Sequence, residues 1–216
     1  MSTRTVTATS TAYSFAKERL LDGRFPAGAL LSENEIARDL EISRTPVREA
    51  FLLLEAEGLL ELYPRRGALV TPISPTESED VLEARLLLEG HCAAAVREPN
   101  PSLDAALAES IAGQELAVAG DEPEGHVFTV HDREFHRAIV SFHGNAVLTR
   151  QYDALRDRQQ RISAIAVSRS YARIVQFVLE HRTIAAALGD GDGPRAAELI
   201  ADHLHHAHDL ARRGRE

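Results

Sequence analysis

The chain holds a single cysteine, Cys92, so no internal disulfide can form. No apolar run approaches the roughly 20 residues that a helix needs to span a bilayer. The opening stretch, MSTRTVTATS, lacks the apolar centre of a secretory leader. These absences point to a cytoplasmic protein with no membrane anchor. There is no internal repeat and no long low-complexity tract. Residues 1–10 are rich in Ser and Thr and are expected to be disordered.

Positive charge is also in short supply. The 216 residues carry 24 Lys and Arg against 33 Asp and Glu, a net charge of -9. The imbalance is uneven. Residues 1–75 hold 9 basic against 10 acidic residues, so nearly all the excess acid lies in residues 76–216. An acidic total does not exclude a polyanionic partner, because local charge sets phosphate affinity. The length allows one or two domains, and 44% hydrophobic residues suffice for a sizeable core. A composition break at Thr71-Pro72-Ile73-Ser74-Pro75 suits a linker.

The stretch Ser32 to Val70 is the most patterned. Ser32 and Glu35 have capping-box spacing, and Ile36, Ala37 and Leu40 supply an apolar face. Glu41-Ile42 makes a turn. Ser43 can cap a second helix, and Pro46 fits its first turn. Val47, Ala50, Phe51 and Leu54 recur at helical spacing and face the core. Arg44, Thr45 and Arg48 fall on the other side, with the two arginines one turn apart at the helix N-terminal end. Gly58 is a natural C-cap. Leu59–Leu62 and Ala68–Thr71 read as short strands around Tyr63-Pro64-Arg65-Arg66-Gly67, a hairpin with two cations at its tip. Helix, turn, helix and basic hairpin form a winged helix-turn-helix, whose second helix offers arginines to guanine edges in the major groove.

After Pro75 no strand is evident. Six helices are expected at about 76–97, 102–119, 124–142, 145–167, 171–188 and 193–212. The breaks are Pro99-Asn100-Pro101, 120–123, Gly144-Asn145, 168–170 and the Gly/Asp-rich run 189–194. The fold class is therefore mainly α, a winged helix-turn-helix followed by an all-α six-helix bundle. Boundaries are set at 10–71 for the first domain, 72–76 for the linker and 77–213 for the bundle.

Polar residues interrupt the inward stripes of three helices. Asp132 joins Phe128, Phe135, Ile139 and Phe142, with His136 at the flank. His181 joins Ile174, Val178, Ala185 and Leu188. His203 joins Ala196, Ile200, Ala207 and Leu210. Buried polar groups must be satisfied, so these residues are expected to meet. One carboxylate and three neutral imidazoles suit a divalent transition metal, zinc or nickel first and then manganese. The pattern by itself fits a hydrogen-bonded core equally well. His205, His206 and His208 fall off their stripe and are expected to be solvated.

The run from Phe25-Pro26 through Ser43-Arg44-Thr45-Pro46-Val47-Arg48-Glu49-Ala50 to Arg65-Arg66-Gly67 resembles the GntR family of transcription regulators. Asp132-x-x-Phe135-His136, Gly144-Asn145, Glu180-His181-Arg182 and His203-Leu204 resemble the FCD-type helical domain of its FadR-like members. The resemblance implies operator contacts by Ser43, Arg44, Thr45, Arg48, Arg66 and Gly67. Many relatives carry a further arginine where this chain has Asn34. It also implies metal ligands Asp132, His136, His181 and His203, with Arg85 placed to pair with an effector carboxylate. The function implied is a homodimeric regulator, most often a repressor, bound to double-stranded operator DNA and controlled by a small organic acid. A metal-sensing regulator and a metal-dependent hydrolase are the alternatives. No general base accompanies the ligands, which argues against an enzyme.

Overall fold

The computed structural model describes residues 7–120, 124–168 and 171–212, and the chain divides into two compact units between Ile73 and Ser74. The first six residues of the stretch expected to be disordered lie outside the described residues. Ala8–Ser10 are helical instead. The reason is a cap at α1 (Ala8–Leu21). The Thr7 hydroxyl accepts from the Ser10 amide at 3.1 Å, and the Ser10 hydroxyl accepts from the Thr7 amide at 2.9 Å. Two backbone donors are satisfied reciprocally, which gives a Ser/Thr-rich stretch a defined start.

The rest of the first unit is β1 (Leu30–Leu31), α2 (Glu33–Asp39), α3 (Arg44–Ala56), β2 (Leu60–Tyr63) and β3 (Gly67–Val70). The three strands form an antiparallel sheet in the order β1-β3-β2, with Leu62 opposite Ala68 and Leu31 also opposite Ala68. Strand β1 was not expected from its two residues. It pairs one edge of the hairpin and leaves the tip projecting. Val47, Ala50, Phe51 and Leu54 of α3 are all fully buried against Ala12, Ala16 and Leu20 of α1. Ser32 and Ser43 occupy the N-cap positions of α2 and α3, but neither side chain makes a capping bond, so the expected Ser32–Glu35 box does not close. Glu41 turns the chain between the helices with a φ of 55°.

The second unit is helical throughout its described residues. It comprises α4 (Pro75–Ala94), α5 (Pro101–Ala117), α6 (Gly125–Phe142), α7 (Ala146–Ala154), α8 (Arg156–Val167), α9 (Tyr171–Gly189) and α10 (Gly193–Arg212). Pro75 and Thr76, expected in the linker, form the first turn of α4, where Ser74 accepts from the Glu77 amide at 3.0 Å. Asn100 and Asn145 cap α5 and α7 in the same way. The helix expected at 145–167 is two helices. The Leu155 amide bonds back to the Tyr152 carbonyl at 3.0 Å over a tightened turn between them. Helix α10 packs along α4, and α6 lies against α5, α7 and α8. No helix of the described residues is long and apolar enough to cross a membrane.

Gly67 ties hairpin to sheet. Its φ is +109°, and a Cβ there would lie 2.2 Å from the Leu31 carbonyl oxygen. Gly67→Ala is expected to destabilise the first unit by about 1–3 kcal/mol. Urea unfolding followed by circular dichroism measures this; an unchanged midpoint would mean that β1 can move aside freely.

Candidate functional site

Two places bring the chemistry-bearing residues together, one in each unit. In the first, Ser43, Arg44, Thr45 and Arg48 are all exposed at the start of α3. Arg44 and Arg48 share a groove with Asn34 of α2 and with Tyr63–Gly67 of the hairpin, about 510 Å³ in volume. Arg65 and Arg66 are exposed at its far side, and Arg65 takes a positive φ of 66° to turn the tip. Asn34 therefore stands on the same surface as the arginines. One partner was not read from the sequence. The Arg44 guanidinium donates to Glu33 at 3.0 Å, and this carboxylate aims it along the groove.

In the second unit the four residues from three stripes meet. One ligand atom from each of Asp132, His136, His181 and His203 lies within 4.8 Å of all the others, and all four residues are buried. His181 Nε2 is 3.3 Å from His136 Nε2 and 3.2 Å from His203 Nε2. Asp132 Oδ1 is 3.6 Å from His181 Nε2 and 3.8 Å from His136 Nε2. The other carboxylate oxygen accepts from Ser163 at 3.2 Å.

The opposite ring nitrogens decide what this cluster can do. His136 Nδ1 donates to Glu89, His181 Nδ1 to Gln114 Oε1 and His203 Nδ1 to Glu180, each at 2.7 Å. All three acceptors are oxygens, so each Nδ1 carries a proton and each ring turns its Nε2 inward. Three imidazole nitrogens and a carboxylate oxygen then face one point, a donor set able to hold a cation. Burial, with His203 and His136 nearby, pushes His181 well below the ordinary imidazole range. Burial also lowers His203, against the pull of Glu180. Two nitrogens on one ion at about 2.1 Å stand roughly 3.0–3.4 Å apart, so the donor spacing fits a transition metal.

Glu89 and Gln114 had no place in the sequence reading, and Glu180 entered it only within the motif Glu180-His181-Arg182. Gln114 carried a signal, since it breaks the buried stripe Leu103, Leu107, Ile111, Ala117. Glu89 is fully buried and holds several groups at once. Its Oε1 accepts from Arg85 Nε at 2.7 Å and from the Tyr152 hydroxyl at 3.0 Å. Burial alone would raise its pKa, but Arg85 and His136 outweigh this and bring it down to about 2. Arg85 is thus committed to a neighbour on its own helix. Two further expectations need correction. His208 is buried, because the inward stripe of α10 continues through Leu204 and Ala211 rather than Leu210. His205 and His206 are exposed as expected. Phe142 is exposed at the end of α6.

A three-stranded winged helix with an arginine-lined groove defines a DNA reader. The unit that accompanies it is all-helical and holds a buried nest of three histidines and a carboxylate. The first unit matches the model described as "Bacterial regulatory proteins, gntR family" over residues 9–70, and the second matches "FCD domain" over residues 80–206. The chain belongs to the GntR family and is a DNA-binding transcription regulator with an FCD domain, not an enzyme. It is 32% identical over 94% of its length, and 87% of the relative's, to the "Probable D-xylose utilization operon transcriptional repressor" of Paenarthrobacter nicotinovorans. It is 29% identical to an HTH-type transcriptional regulator from an unstable DNA locus of Streptomyces ambofaciens, over 87% of this chain and 78% of that one. In structure it resembles a GntR regulator of Rhodococcus sp. RHA1, with a TM-score of 0.77 and 21% identity over 94% of this chain and 96% of that one.

Removing the cation from Glu89 tests how far the nest depends on it. Arg85→Met is expected to cost about 3–5 kcal/mol in urea unfolding, and adding Glu89→Gln should recover part of the loss. Glu89's contribution to stability should be complete above its ordinary value of 4.5 and lost as pH falls toward about 2. Additive losses in the double variant would show that the two side chains act separately.

Proposed function

We propose that this regulator represses transcription as a homodimer on a near-palindromic operator, and that a small organic acid at the metal nest controls its DNA affinity. The observation that carries the reading is the set of three Nδ1 anchors, which turn three Nε2 atoms to one point. Asp132, His136, His181 and His203 would hold the ion. Zinc and nickel suit three imidazoles, and manganese would be held more weakly. The ion supplies a positive centre able to take a carboxylate oxygen wherever its coordination exceeds the four protein donors.

The chain's own residues do the rest. Glu89, Gln114 and Glu180 hold the rings in one orientation. Arg85 borders the narrow gap that reaches Asp132 and His203, and stands as a second anchor for the acid. Ser43, Arg44, Thr45, Arg48, Arg66 and Gly67 meet the operator in the reading proposed. Repacking of the helical unit by the acid would be passed on through the chain at Ile73-Ser74. The acid can shift DNA affinity only by binding the two states of the dimer unequally. Such a protein works in the cytoplasm, where its operator is.

One observation favours a second reading. The gap beside the nest is only about 10 Å³, room for no more than one water. A regulator that senses the metal itself needs no larger space. The two readings separate on operator affinity. Metal alone changes it in the second, and metal plus acid is required in the first.

Three measurements test the proposal. Elemental mass spectrometry of the purified chain is expected to find about one divalent ion per chain, lost in His181→Ala. That variant should keep its operator affinity but lose its response to acid; a normal response would move the site elsewhere. Arg48→Ala is expected to weaken specific operator binding by about 1–3 kcal/mol. Unchanged affinity in a gel-shift titration would remove Arg48 from the reader.

A further inference from the structure

Most buried polar atoms of the helical unit are paired. Among the described residues six buried side-chain nitrogen or oxygen atoms lack a hydrogen-bond partner, and three of them border one gap. They are Ser78 Oγ on α4, Gln159 Nε2 on α8 and His208 Nε2 on α10. All three residues are more than nine-tenths buried. An unpaired buried polar group costs free energy, so native proteins keep few, and three around one space are hard to reconcile with packing alone. The remaining walls are largely apolar, including Val81, Ile162 and Leu204.

This gap is not isolated. It shares Arg85, Ser163, Ala166 and Ala207 with the narrow gap that reaches Asp132 and His203. The two gaps are therefore neighbours, with Arg85 and Ser163 lining both on the way from the nest to the three unpaired atoms. We propose that Ser78, Gln159 and His208 form the second half of the effector site and take the hydroxylated tail of a monocarboxylic acid whose carboxylate lies at the nest. This rests on the effector reading given above and adds the chemical class of the acid.

The class follows from what the three residues offer. A hydroxyl, an amide and an imidazole give and accept hydrogen bonds without carrying a fixed charge. They suit alcohol groups. A second carboxylate would meet no further cation here, because Arg85 pairs with Glu89 through Nε at 2.7 Å and, in the effector reading, serves the carboxylate at the nest. A bare alkyl tail would leave all three polar atoms unpaired. Sites built to bond a hydroxyl discriminate strongly against the analogue that lacks it.

Space adds a further condition. The gap beside Ser78 holds about 20 Å³ and the one beside Asp132 about 10 Å³. Neither admits a sugar-sized acid as it stands. Helices α8 and α10 line both gaps with alanines, Ala166 and Ala207, and must part for the acid to enter. Occupancy and repacking of these helices are then one event. That couples the ligand to the conformation of the unit.

The test uses the full-length, metal-loaded chain and isothermal titration calorimetry. Gluconate, galactonate and xylonate are compared with hexanoate and pentanoate, which share their carbon counts but have no hydroxyls. At least one sugar acid is expected to bind roughly tenfold or more tightly than its plain counterpart. Ser78→Ala and Gln159→Leu should each cut that ratio several-fold while leaving metal content, circular dichroism and the plain-acid affinity unchanged. Plain acids binding as well as sugar acids would overturn the subsite but leave the effector reading standing. A sugar-acid preference untouched by both variants would likewise remove these residues. No binding of any acid to metal-loaded protein would overturn the effector reading, and the subsite with it.

Discussion

The helical unit depends on one buried carboxylate. Glu89 is fully enclosed, and its two oxygens bind Arg85, Tyr152 and His136. Burying such a charge is costly, and the cost is offset only when a cation and enough hydrogen-bond donors surround it. Arg85 provides the cation. Tyr152, whose phenol burial and Glu89 keep protonated, provides a neutral donor. His136 is then fixed by what is left. One side chain of α4 thus sets the positions of groups on α6 and α7, and through His136 it sets the ring that faces His181 of α9 and His203 of α10. In the metal reading proposed above, this is support of a ligand by its outer partners, in which the ring's far nitrogen decides what its near nitrogen can do.

The first unit solves a different electrostatic problem. A chain with a net charge of -9 must still approach a polyanion. It does so by concentrating cations in one groove between α3 and the hairpin and leaving the acidic excess in residues 76–216. Long-range attraction to phosphate is therefore modest, and in the reading proposed above recognition falls to the short-range geometry of a few guanidinium groups. Gly67 and the short β1 strand make the hairpin tip part of a sheet rather than a loose loop, which suits a contact that must be placed accurately.

Legibility in the sequence followed periodicity. Val47, Ala50, Phe51 and Leu54 repeat cleanly, and all four are buried. Asp132, His181 and His203 were conspicuous because each interrupts an apolar stripe, and the structure brings them together with His136. Helix α4 gave no such contrast. Ser78, Arg85 and Glu89 are all buried there, so the inward face does not stand out from the outward one, and Glu89 stayed hidden. The break at Leu155 has neither glycine nor proline to mark it. The cap at Thr7 was masked by its Ser/Thr-rich surroundings, where composition suggested disorder but the spacing of two hydroxyls specified a helix start. Partnerships between helices, such as Gln114 with His181, are set by tertiary packing and leave no mark at fixed sequence distance.

The ion pair between Arg44 and Glu33 has a kinetic side. While the protein is off its operator, the arginine nearest the start of α3 already has an anionic partner of its own. Any stretch of duplex must displace that carboxylate to gain the guanidinium. A random sequence offers only phosphate in exchange, a poor trade, whereas a well-placed guanine offers two acceptors in one plane. Dwell time on wrong sites is shortened more than on the right one. In the operator reading proposed above, a carboxylate that lowers raw affinity would thereby raise the speed of the search.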